Sequence, residues 1–230
     1  MNFIQSKLRL RRSSGSSRGQ DSSHGSGLSG HHAADPPPVP LYRQPPYVEA
    51  ILVNGKLSKV VRLPRYVDQD EWLAANVFSF FHSVNRFYGA VTEYCTATTC
   101  PTMSGPDGTE YLWSDRHRKA SRVPAMQYID FVMTWIQNQV EDEAVFPTKT
   151  AKFPKDFGST VRAICKQMFR LFAHIYHAHF DVIVAVKAEA HVNTLFAHFM
   201  AFCLAFDLLD KKEYAPMAGF LHDLQELGRL

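Results

Sequence analysis

Between Phe157 and about Val184 the sequence repeats apolar residues at helical spacing on two faces at once. Val161, Ile164, Met168, Leu171 and Ile175 form one stripe, and Cys165, Phe169, Phe172 and Tyr176 form another. A helix with one apolar stripe can lie on a surface, whereas one that is apolar on both sides has to be enclosed by other elements. The rest of the chain must therefore be arranged around this helix. The same stretch carries His174, His177 and His179 within six positions, and Cys95 and Cys100 stand far upstream. Two cysteines spaced C-x4-C and two histidines spaced H-x4-H fall within the range of a structural zinc site. Such a closed four-ligand site leaves no position for water or substrate, which argues for a scaffold rather than an enzyme.

Helix geometry leaves the choice of histidines open. His174 and His177 are three residues apart and share a helix face. His174 and His179 are five apart and diverge by about 140° on an ideal helix, so that pair needs a helix end or a distortion near His179. Without a metal, the three would be ordinary core or surface histidines and the cysteines ordinary thiols. C-x4-C is also looser than the common C-x2-C spacing.

Composition narrows the classes. With 46% hydrophobic and 13% aromatic residues, the 230-residue chain can bury a sizeable core. It has no apolar run of about 18 residues, so no membrane span is expected, and its first residues lack the pattern of a signal peptide. Four cysteines are too few for a disulfide framework, which reads as an intracellular protein, with Cys165 and Cys203 as buried thiols. Charge is uneven. Residues 1–46 carry six cations against two anions, and the remainder carries 19 against 20. The near-neutral remainder excludes a general nucleic-acid-binding domain.

Residues 1–46 are rich in Ser, Gly, His and Pro and are expected to form a disordered basic tail, dispensable for folding, that cannot offset its ordering entropy. From Tyr47 to Pro64 an extended arm is expected to lie on the domain, with Asn54-Gly55 as a turn. Asp68 and Glu71 then read as a capping-box-like start to a helix over about 69–90. Gly105-Pro106-Asp107-Gly108 and the following Thr109–Trp113 predict a turn and a small β-hairpin. Pro124 opens a helix whose Met126, Ile129, Met133, Ile136 and Val140 step as in a bundle. Beyond the central helix, one helix carries Val192 to Phe206 and a last one, opened by Pro216, carries Met217 to Leu227. The fold class is all-α. No Gly-rich phosphate loop, H-E-x-x-H, G-x-S-x-G or kinase signature occurs.

Several motifs then appear in order: Asp70-Glu71-Trp72-Leu73-Ala74-Ala75-Asn76, Glu93-Tyr94-Cys95-x4-Cys100-Pro101-Thr102-Met103, Phe146-Pro147-Thr148-Lys149, Ala173-His174-Ile175-Tyr176-His177-Ala178-His179-Phe180 and Glu189-Ala190-His191-x-Asn193. Together they resemble the Mob (Mob/phocein) family of kinase coactivators over residues 47–230. The resemblance implies a four-helix bundle core with extra helices and a structural zinc, one per chain. It implies no catalytic activity, and a surface for the N-terminal regulatory segment of an NDR/LATS-type kinase. The implied zinc ligands are Cys95, Cys100, His174 and His179, with His177 a bystander. The implied kinase-facing residues are Glu71, Trp72, Ala75, Phe146, Pro147, Lys149 and His191.

Arg65-Tyr66-Val67 stand where the growth-control branch of that family has acidic residues, so the chain is more similar to the second branch, particularly its fungal form, which serves cell polarity and morphogenesis. Lys166, Gln167 and Arg170 match a three-cation phosphopeptide patch of the first branch, and Gln167 weakens it. The alternatives are thus a phosphopeptide-binding adaptor for a phosphorylated upstream kinase or scaffold, centred on Lys166 and Arg170, and a zinc-dependent hydrolase, which would need an open coordination site and a base that the sequence does not supply. The resemblance places such a protein in the cytoplasm, with the cell cortex and nucleus as further sites of action.

Overall fold

The structure, a computed structural model, describes residues 38–114, 119–149 and 152–230. Seven α-helices carry it: α1 Gln69–Val91, α2 Ala125–Glu141, α3 Phe157–Ala178, α4 Phe180–Ala185, α5 Glu189–Ala205, α6 Lys211–Tyr214 and α7 Ala218–Glu226. Short 3-10 turns lie at Leu41–Arg43, Leu57–Lys59 and Ala215–Met217. No described helix is long and apolar enough to cross a membrane.

α3 is the enclosed helix that the two stripes require. From Met168 to Tyr176 every side chain but Arg170 is buried. α1, α2 and α4 pack against it. α5 meets it through an aromatic seam in which Phe172 lies 5.3 Å from Phe196 and 5.2 Å from Phe199. Phe80 of α1 reaches the same seam at 5.5 Å from Phe199. Cys165 on α3 and Cys203 on α5 are free buried thiols.

Local chemistry sets the helix ends. The Asp68 side chain accepts from the backbone N–H groups of Asp70 and Glu71 at 2.9 and 3.3 Å, which starts α1, as an N-cap carboxylate should. Lys187, Asp207 and Gly228 take left-handed φ values of 57°, 51° and 67°. The residue after each donates back into the preceding helix, Ala188 to Ile183, Leu208 to Cys203 and Arg229 to Leu224, which is the usual way a helix satisfies its last carbonyls.

One expectation is corrected. There is no β-hairpin among the described residues. Ser104 with Glu110, and Trp113 with Ser121, form isolated antiparallel bridges instead. Thr109 donates to the Pro106 carbonyl to close the expected turn. Pro106 has no N–H to extend a ladder, and after Tyr111 the chain turns to a different partner, so no two successive pairs share the same strands. The expected boundary at residue 46 falls within an ordered stretch. Pro38–Leu230 form one compact unit, and residues 1–37, where the rest of the expected tail falls, lie outside the described residues.

What anchors residues 38–46 is specific. Tyr42 is buried among Tyr176, Phe180 and Phe220 at centroid distances of 5.3, 6.0 and 5.2 Å. Arg43 grips the Asp223 carboxylate of α7 with Nε at 2.6 Å and Nη2 at 3.0 Å. Gly219 makes room for that grip, because a Cβ there would fall on the guanidinium. The arm continues over α5, where the buried Asn193 amide donates to the carbonyls of Tyr47 and Ala50 at 2.8 and 2.9 Å and its oxygen accepts from the Tyr176 hydroxyl at 2.9 Å.

A chain begun at Pro46 should therefore melt below one begun at Pro38. Losing a buried aromatic costs on the order of 3 kcal/mol, and in a domain of this size that lowers the melting temperature by about 6–12 °C. Equal melting temperatures by calorimetry would show that the Tyr42 contacts contribute nothing.

Candidate metal centre and partner surface

The first two donors sit on the loop that leaves α1. Cys95 N–H donates to the Val91 carbonyl at 3.1 Å and Cys100 N–H to the Thr96 carbonyl at 2.8 Å, so each cysteine ends a turn of backbone. Between them, the Thr99 hydroxyl donates to the Tyr94 carbonyl at 2.6 Å and accepts from the Thr96 N–H at 2.9 Å. The Cys100 carbonyl receives the N–H of Ala125, the first residue of α2, at 3.0 Å. The loop is thereby fixed at both ends.

His174 lies in the last turn of α3. His179 is the single residue between α3 and α4, with φ −137° and ψ 13°. This break supplies the distortion near His179 that pairing it with His174 requires. It turns the His179 ring toward His174, with centroids 5.1 Å apart, while His177 stays on the exposed side.

The four donor atoms of Cys95, Cys100, His174 and His179 lie within 4.8 Å of one another and could hold a metal ion. Cys95 Sγ is 3.5 Å from His174 Nε2, and Cys100 Sγ is 3.5 Å from His179 Nε2. A tetrahedral site with ordinary metal–sulfur and metal–nitrogen bonds has S···N edges of about 3.6 Å, so the separations fit. Exposure of the four is 1%, 6%, 0% and 3%. His174 Nδ1–H donates to the Ser104 carbonyl at 2.8 Å, which aims the Nε2 lone pair at the cluster, as outer partners of metal-bound imidazoles do.

Electrostatics point the same way. Without an ion, burial pushes the Cys95 thiol up, and the neighbouring Cys100 adds to the effect. Burial likewise holds His174 down at about 4, so its imidazole is neutral and its lone pair available. Two thiolates exactly offset one divalent cation in charge, so an ion here would sit in a dry site of zero net charge. Uncompensated thiolates could not be buried so cheaply.

The expected partner residues fall on three elements. Glu71 and Ala75 are exposed at the start of α1. Trp72 is half-buried, with its indole N–H donating to the Val61 carbonyl at 3.2 Å. In the loop between α2 and α3, Phe146 is buried edge-on against Phe157 at 5.1 Å. Of the other expected residues in that loop, Lys149 is exposed and Pro147 is partly so. Glu143 shapes it by accepting from Thr148 N–H at 3.0 Å. His191 is exposed at the start of α5.

Lys166 and Arg170 do come together, but around a carboxylate. Lys166 Nζ is 2.6 Å and Arg170 Nη2 3.7 Å from Glu213. Arg170 also donates to the Tyr128 hydroxyl at 2.7 Å, which donates to Gln167 at 2.8 Å, and its guanidinium lies 5.1 Å over the Tyr111 ring. An anionic peptide would have to displace Glu213. Sequence reasoning missed Glu213, Ser104 and the anchoring role of Asn193. Of these only Asn193 left a signal, a polar residue on an apolar helix face.

The profile of the Mob1/phocein family matches residues 49–217. The chain is similar to the "Maintenance of ploidy protein mob2" of Schizosaccharomyces pombe, 46% identical over 194 residues covering 84% of this chain and 80% of that protein. It is similar to the "CBK1 kinase activator protein MOB2" of Saccharomyces cerevisiae, 45% identical over 83% of this chain and 67% of that protein. The protein of the same name in Candida albicans is 44% identical over 86% of this chain, which spans 62% of that relative's length.

Two outcomes are expected of the metal centre. Cys95→Ser and His174→Ala should each lose the ion and destabilise the domain by on the order of 5 kcal/mol, whereas His177→Ala should keep the ion. Elemental analysis of the purified variants decides this, and loss of metal from His177→Ala alone would reverse the ligand assignment. The second outcome concerns acid. Without an ion, the folded-state pKa of His174, about 4, lies below the ordinary 6.5 because of burial. The unfolded chain therefore binds more protons in that window, and the stability present above pH 6.5 is lost as pH falls toward 4. Protons also compete with the metal for the thiolates, in the same direction. Melting temperature and metal content should fall together over this range.

Proposed function

The chain belongs to the Mob1/phocein family, and on that premise we propose that it is a non-catalytic regulatory subunit of an NDR/LATS-type Ser/Thr kinase in cell polarity and morphogenesis. It binds the kinase's N-terminal regulatory segment and stabilises its active arrangement. The observation that carries this reading is the likeness, across more than four-fifths of the chain, to two proteins named as CBK1 kinase activators. A coactivator works by binding the active state more tightly, since equal affinity for both states shifts nothing.

The site chemistry supports the same reading. We take the ion to be zinc, one per chain, because two thiolates and two imidazoles at tetrahedral separations suit zinc best among common divalent ions. With four protein ligands the ion has no open position, so its part is to tie the Cys95–Cys100 loop to the end of α3. The partner surface is the exposed start of α1, where Asp68, Glu71 and the half-buried Trp72 offer carboxylates beside an aromatic edge to a basic segment.

Affinity purification of the tagged protein from native lysate, followed by mass spectrometry, should recover an NDR-type kinase, and recovery of none would remove the main reading. Glu71→Lys should weaken binding of the kinase's N-terminal segment about tenfold or more, because charge reversal at a docking surface repels a basic partner. Its effect on stability should stay within about 1 kcal/mol, since Glu71 is exposed. Unchanged affinity by calorimetry would take Glu71 out of the interface.

A further inference from the structure

The third histidine has no part in the quartet, yet it has a defined setting. A cleft of about 520 Å³ opens beside the buried site, and Cys100 and His179 form part of its lining. Glu93, His177 and Asp181 line the same cleft, and all three are exposed. Each lies two residues from a quartet member: Glu93 before Cys95, and His177 and Asp181 on either side of His179. Both segments of the quartet therefore carry an oxygen or nitrogen donor close in sequence to a quartet member and lining one opening.

The opposite side is different. Cys95 lines a groove of about 680 Å³ between α1 and α2. Tyr88, Met126, Ile129 and Met133 give that groove an apolar lining in which Asp130 is the one charged group. A hydrated divalent ion gives up its waters only as other donors replace them, and stripping them against apolar walls is costly. Of these two depressions, only the first offers a graded exchange of water for protein ligands.

We infer that the cleft lined by Glu93, His177 and Asp181 is the route by which the divalent ion reaches and leaves the buried quartet, these three side chains acting as transient ligands. Carboxylates and an exposed imidazole suit a cation that still holds part of its water, whereas thiolates and dry imidazoles suit the same ion once dehydrated. Handover needs only a short step, because Cys100 and His179 belong to both the cleft and the quartet. The inference rests on the quartet holding a metal. It makes a kinetic claim distinct from that one: removing the transient ligands slows uptake and release by the same factor and leaves affinity unchanged, since a shared path affects both directions equally.

The test uses the full-length, metal-loaded protein. Incubation with excess isotopically enriched zinc, followed by native mass spectrometry, gives the exchange half-time, and chelator competition gives the dissociation constant. The variant Glu93→Gln, His177→Ala, Asp181→Asn should exchange about tenfold more slowly with the dissociation constant and melting temperature of the parent, and Asp130→Asn in the opposite groove should exchange at the parent rate. Parent-like exchange in the triple variant would overturn the inference, as would weaker zinc affinity without slower exchange, which is the signature of a structural role. Slowing by Asp130→Asn instead would move the route to the other groove. A parent protein without metal by elemental analysis would overturn the metal reading itself, and this one with it.

Discussion

The enclosure of α3 is the constraint on which the remaining structure depends. A helix buried around nearly its whole circumference cannot supply its own environment, so α1, α2, α4 and α5 are each placed by what they bury against it. The aromatic seam from Phe80 through Phe172 and Phe199 to Tyr176 and Phe220 follows from the same requirement. Large rings fill the space between helices at near-crystalline density, and their edge-on contacts fix the helices in register. With the interior committed in this way, exposed helix starts and loops are left for contact with other molecules.

The metal quartet depends on the end of that helix. Cys95 and His174 are 79 residues apart in sequence, so an ion held by the four donors would close a long loop. The entropy of such a closure grows only slowly with length, while two deprotonated sulfurs on a cation would contribute a large gain. The break at His179 is what makes the four donors converge. Were α3 to run on unbroken, the His179 ring would leave toward a different face of the helix. A backbone irregularity of one residue is therefore part of the binding site.

Much of this was legible in the sequence, because it rests on periodicity and capping. The stripes of α3, the Asp68 start of α1 and the helix after Pro124 all follow from local rules, and the structure keeps them, except that the central helix expected to run to about Val184 breaks at His179. The choice between His177 and His179 rested on the family resemblance, since helix spacing left it open. Other features depend on contacts distant in sequence. Tyr42 sits in a stretch whose composition reads as tail, yet its ring fills a space made by residues more than 130 positions away. Phe146 shares a motif with surface residues but turns inward onto Phe157. Glu213 neutralises Lys166 and Arg170 from a short helix far along the chain, which no local pattern announces.

The strap formed by residues 38–61 carries a consequence for biosynthesis. Tyr42 and Arg43 meet Phe220 and Asp223, and Leu57 N–H donates to the Arg229 carbonyl at 3.1 Å. The segment of the domain synthesised first is therefore completed by the segment synthesised last. A ribosome extends the chain over seconds, and throughout that time Tyr42 and the arm behind it lack α7. The domain cannot reach its final packing while it is still being made. Until the last helix has emerged the strap has no surface to close against, and a message cut short within α7 would leave the apolar surface around Tyr42 uncovered.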